Sequence, residues 1–133
     1  MSAYGLTAKQ LAEHLQDQGI GVIGQDLFYS FLPDSPDNCI SIFDTGGWPK
    51  DPDLPRKDVT FQIRIRGEYY DEAQAKAEAL YNYFCPGGIP KKLFYIDSFF
   101  VQLVQPMQPV PYHMGRDETG RDEFVWNMTF IIR

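Results

Sequence analysis

The sequence predicts an α+β fold, a mainly antiparallel β-sheet with two helices packed on one face. Three observations carry this. Two stretches repeat apolar residues at helical spacing. Several short stretches are rich in aromatic and β-branched residues, and one alternates apolar with polar positions over ten residues. The order is one helix, three strands, a second helix, then two or three strands, so helices and strands do not alternate one for one.

The first helix is expected over residues 7–18, "TAKQLAEHLQDQ". Ala8, Leu11, Ala12 and Leu15 share a face, Thr7 and Gln10 have capping-box spacing, and Gly19 and Gly21 end it. Strands are expected at 26–32, "DLFYSFL", and 38–43, "NCISIF", with the turn signal "PDSPD" between them. In the third, "DVTFQIRIRG" at 58–67, Val59, Phe61, Ile63 and Ile65 point one way, and Thr60, Gln62, Arg64 and Arg66 the other.

Before that strand, residues 44–57 carry prolines at 49, 52 and 55, which rule out regular helix or central strand. A loop of this length is unusual and often functional. The second helix is expected over 71–84, capped by Asp71 with Gln74 at the capping-box position, and stopped by "CPGG". Residues 92–98 and 99–105 read as two strands or one bent one. The final strand, 123–133, carries apolar residues on both rows near its end, as a central strand would.

A chain of 133 residues suits a single domain spanning 1–133 and buries roughly two-thirds of its unfolded surface. At 44% hydrophobic and 15% aromatic it is not a disordered chain. The net charge of −6 disfavours sequence-specific nucleic-acid binding. Cys39 and Cys85 lack metal-ligand spacing; two free thiols are expected, one disulfide being the alternative. "MSAYGLTAKQ" has no basic region followed by an apolar run, so no secretory leader is expected. No apolar stretch suits a bilayer, and a soluble cytoplasmic chain is expected.

The one concentrated charge cluster is "GRDETGRDEF", 115–124. Asp117, Glu118, Asp122 and Glu123 interleave with Arg116 and Arg121, and the EF-hand pattern does not fit. It reads as a solvated loop turning at 118–120. The alternative, a hydrolase or nuclease with a divalent metal, needs Asp117, Asp122 and a third carboxylate to converge. His14 and His113 read as surface histidines, "TGG" and "PGG" as turns, and "PMQP" as a stiff connector. No catalytic, cofactor-binding or metal-binding residue is assigned. Trp48, in the proline-stiffened loop, reads either as an interface anchor or as folded back on its own domain. Arg64 and Arg66, with Glu68 near their strand's end, either join subunits or line a solvated face.

The chain resembles the minor capsid and tail terminator proteins of long-tailed bacteriophages. The carriers are "ISIFDTGGWP" (40–49), "DVTFQIRIRG" with its following helix, and "MGRDETGRDEFVWNMTF" (114–130), in that order. Gly115, Asp117, Arg121 and Asn127 stand at the family's Gly-x-Asp, Arg and Asn places, which adds Asp117 and Arg121 to the candidate contact residues. The resemblance implies a structural virion protein at the head–tail junction. It implies a ring, usually of six copies, that caps the tail tube protein and docks a head-side connector or stopper, with genomic DNA passing through unbound. A neighbouring neck component, such as a tail completion or head-closure protein, is the alternative. A peptide-binding module using a sheet edge is a third, of a different class. Loops 44–57 and 105–122 are the expected contact elements.

Overall fold

The computed structural model describes residues 5–50 and 52–133. The first four residues, part of the stretch read for a leader, and Asp51 in the long loop lie outside them. Helix α1 (Ala8–Asp17) starts with the expected capping box: the Thr7 hydroxyl accepts from the Gln10 N–H, and the Gln10 side-chain Oε1 accepts from the Thr7 N–H. A third cap comes from far along the chain, where Asp44 accepts from the Ala8 N–H at 2.9 Å. Leu11, Ala12 and Leu15 are fully buried, as their spacing requires.

Strand β1 (Leu27–Tyr29) is shorter than expected and runs parallel to β2 (Cys39–Asp44), with Leu27 opposite Ile40. Ser30 takes φ 70°, which ends the strand, and residues 30–38 return the chain to start β2 in the same direction. Strand β3 (Lys57–Gly67) pairs antiparallel with β2, and its alternation holds: Phe61, Ile63 and Ile65 are fully buried.

Helix α2 (Tyr70–Phe84) begins one residue before the expected start. Asp71 is not its cap; Tyr69 is, with no side-chain bond, and Asp71 sits in the first turn, where it still suits the dipole. The reason lies at Gly67, where a Cβ would stand 2.5 Å from the Ala73 nitrogen. Only glycine lets the strand end and the helix approach this closely.

A 3-10 turn (Pro86–Gly88) leads to a hairpin of β4 (Lys92–Ile96) and β5 (Phe99–Pro106), so the stretch 92–105 is two strands. Leu93 takes φ 57°, a left-handed conformation costing about 1–2 kcal/mol for a residue with a side chain. Strand β6 (Tyr112–Arg116) lies inside the stretch 105–122 expected to be loop, and corrects that expectation. It pairs with the long final strand β7 (Asp122–Ile132).

The sheet order is β1-β2-β3-β7-β5-β4, with β6 also on β7. Strand β7 is central, as expected. One edge pairs with β3; the other pairs first with β6 and then, from Met128 onward, with β5. Between these, Gln108 stands in for a strand. Its side-chain oxygen accepts from the Asn127 N–H at 2.9 Å, and its backbone carbonyl accepts from the Trp126 indole at 3.0 Å. Prolines 106, 109 and 111 surround this step, where a continuous ladder would lack donors.

Both helices contact the sheet: α2 lies on β3 and β7, while α1 touches β1, β2 and also β4 at the opposite end. The sheet therefore curls around the core. At its centre Trp126 is fully buried beside Tyr81 and Phe84, and Phe130 meets Phe61 edge-on with centroids 5.2 Å apart. His14 is not a lone surface histidine. It is half-buried, bonded to the Tyr83 hydroxyl and packed against the Tyr83 and Phe94 rings. Burial lowers its pKa below the usual 6.5 and pushes the Tyr83 phenol up to about 12. Cys39 and Cys85 are both free and buried. Among the described residues no helix is long and apolar enough to cross a membrane.

Candidate assembly surface

Strand β2 ends at Asp44, the cap of α1, and the chain then stays against β3. Thr45 donates its N–H to the Thr60 carbonyl at 3.2 Å, and the two threonine hydroxyls lie 2.6 Å apart. Trp48 donates its N–H to the Asp58 carbonyl at 3.0 Å. Gly47 makes this possible: a Cβ there would stand 2.2 Å from that same carbonyl oxygen, and its φ is 104°. "DTGGWP" is thus a device that ties a helix cap and a β3 contact to one tryptophan.

The Trp48 side chain does not fold back; it is 59% exposed. It borders an open groove of about 420 Å³ shared with Met107, Gln105 and Ile131. The two proline-stiffened segments named from sequence therefore converge: 44–57 supplies Trp48 and the start of 105–122 supplies Met107, also exposed. Arg56, Asp58 and Thr129 also line it, and an open surface that mixes exposed apolar side chains with polar ones suits a protein partner better than a small molecule.

Arg64 is half-buried, donating to Gln62 at 3.1 Å and lying 5.9 Å over the Phe43 ring. Arg66 is neither on a solvated face nor available at the surface: it is 2% exposed. Its guanidinium donates to the carbonyls of Pro33, Pro36 and Asp37 at 2.5, 2.7 and 3.1 Å. A neutral-atom cradle of three carbonyls satisfies a buried cation without a carboxylate. Glu68 is exposed, with its N–H bonded to the Asn38 side chain at 2.8 Å.

The acidic cluster resolves into a built turn. Asp117 accepts from the N–H and hydroxyl of Thr119 and from the N–H and Nε of Arg121, all within 3.0 Å. Burial pushes its carboxyl up, but the bonds from Arg121 and Thr119 outweigh that and hold it at about 2. Gly120, at φ 84°, closes the turn at the expected place. Arg121 continues to the Asp34 carbonyl and to Asp37. Arg66 and Arg121 thus grip the same segment, 33–37, from two sides of the sequence. Asp122 is buried and bonded to His113 at 2.9 Å, so His113 too has a partner. Among the described residues no three His, Cys, Asp or Glu side chains converge to hold a metal ion.

Residues 14–133 match the family described as bacteriophage tail terminator protein. The chain belongs to that family. A comparison with curated proteins finds no match. The tail terminator family is structural and non-enzymatic, a component of the virion tail, and its membership implies association with the tail tube. In this chain the residues that carried the resemblance are builders of the fold. Gly115 takes φ 119° at the β6 irregularity, Asp117 and Arg121 make the turn, and Asn127 is bonded by Gln108, Met107 and Gln62. Sequence reasoning missed the exposed residues Met107, Leu93, Tyr95 and Tyr69, because exposure of an apolar residue in a strand or cap leaves no local signature.

Proposed function

We propose that copies of this chain close into a ring on the last ring of tail tube protein, and that the ring stops tube growth. Its other surface receives the head-side connector or stopper, and DNA passes through the central hole. Six copies are the expected number, and the head–tail junction the expected position. The family match over residues 14–133 is the observation that carries this proposal.

Physical features support it. A subunit with two different contact surfaces related by a closing rotation gives a ring, where the same contact without closure would give a filament. The Trp48–Met107 groove, with exposed tryptophan and methionine beside Arg56 and Asp58, is suited to meeting the tube or the connector. A net charge of −6 keeps the lumen from holding the phosphate backbone.

The test is negative-stain microscopy of the purified protein mixed with growing tail tubes. Rings at one tube end and a limited tube length are expected. Tubes that elongate unchecked, with the protein monomeric throughout, would overturn the proposal.

A further inference from the structure

His14 stands between two unlike surroundings, and each favours a different charge on its ring. On one side the imidazole packs on the Tyr83 and Phe94 rings, with centroids 5.7 and 6.1 Å away, and its Nε2 is bonded to the Tyr83 hydroxyl. The Lys91 ammonium lies over the same two rings, 4.9 and 5.1 Å from their centroids. On the other side opens a cleft of about 260 Å³, which His14 lines together with Gln10, Glu13, Asp17 and Asp97. Among the described residues that lining holds three carboxylates and no lysine or arginine. Every element packed on the ring therefore brings a titratable or charged group. Helix α1 brings Glu13 and Asp17, α2 brings Tyr83, and the β4–β5 hairpin brings Lys91 at its entry and Asp97 at its turn.

The aromatic side suits the neutral ring. Burial pushes the Tyr83 phenol up to about 12, and its hydroxyl has no other hydrogen-bond partner among the described residues. The O–H therefore donates, Nε2 accepts, and the ring proton sits on Nδ1. A proton added at Nε2 removes that acceptor and places a second cation beside Lys91 in a half-buried site. The cleft side suits the charged ring, since an imidazolium there faces carboxylates and solvent. Burial disfavours charge on the ring where it stands; Asp17, three residues on and on the same helix face, favours it; Lys91 disfavours it.

We infer that His14 is a pH-operated latch between α1 and the β4–β5 hairpin. Neutral, its ring lies on Tyr83 and Phe94 and ties α1 to the last turn of α2 and to β4. Protonated, it turns about its side-chain torsions into the cleft of Glu13, Asp17 and Asp97 and releases both. Strand β4 is last in the sheet order, and α1 touches it as well as β1 and β2 at the opposite end of the sheet. The latch therefore holds the two ends of the curled sheet to one helix. Its release loosens the β4 edge and leaves the central β3–β7 ladder closed. The device is independent of the ring proposed above.

The test is an NMR titration of the full chain from pH 7 to pH 5, reading the His14 ring and amide protection together. At pH 7 the ring is expected to carry its proton on Nδ1 and to show contacts with the Tyr83 and Phe94 rings. At pH 5 an imidazolium without those contacts is expected. Protection factors across the β4–β5 ladder should then fall about tenfold, while those of β3 and β7 hold. In His14→Gln the hairpin should keep one level of protection at both pH values. Asp17→Asn combined with Asp97→Asn, which removes most of the cleft's charge, should move the transition to lower pH. A ring that stays neutral to pH 5, or an imidazolium still packed on Tyr83 and Phe94, would overturn the latch. So would an equal loss of hairpin protection in His14→Gln, or a transition unmoved in the paired asparagine variant.

Discussion

Asp117 is the residue on which the last turn depends, and its chemistry gives a pH signature. Its carboxyl titrates near 3.8 when unfolded and near 2 when folded, so its contribution is complete above about 4 and lost as pH falls towards 2. Asp117→Asn should lower stability at pH 7 by about 1–2 kcal/mol, the gap closing in acid; urea melts from pH 7 to pH 2 check this. His14 works in a higher window. Burial lowers its pKa, Asp17 opposing and Lys91 assisting, so folding favours its neutral form. The stability it contributes is complete above its ordinary value of 6.5 and lost as pH falls below that. His14→Gln should therefore flatten the decline of melting temperature between pH 7 and pH 5. Arg66→Ala would leave three inward-facing carbonyls without a donor, and a loss of about 2–4 kcal/mol is expected in denaturant melts.

Among the elements, those with a strong period were legible and those defined by tertiary contact were not. The α1 capping box, the alternation of β3 and the central place of β7 followed from local spacing, because each buries one face of a regular repeat. Strand β6 was invisible: "YHMGR" has no apolar alternation, its side chains are mostly exposed, and it exists because β7 offers it an edge. The parallel pairing of β1 was likewise hidden, since direction depends on how 30–38 is anchored by Arg66 and Arg121. Trp48 was legible as an unusual residue, but its meeting with Met107 required the fold. The entry to α2 gives a direct test. Gly67→Ala should destabilise by about 2 kcal/mol or more, far beyond the gain expected from a helix-neutral alanine, because backbone must move. Calorimetry measures it.

At the scale of the molecule, the two tryptophans stand in opposite environments, one buried and one largely exposed. Trp126 is sealed in the aromatic core, and Trp126→Ala should cost about 3–5 kcal/mol. Trp48→Ala should leave stability within about 0.5 kcal/mol while weakening tube capping, a split that melting curves and tube-length distributions together would reveal. The two buried thiols extend the same separation of inside from outside. Burial pushes both Cys39 and Cys85 up from their ordinary value, so neither supplies thiolate at neutral pH. The native chain is therefore expected to stay unlabelled by maleimide dyes, and a fluorophore attached through a single added surface cysteine would then report on that position alone, with the wild-type thiols left in place.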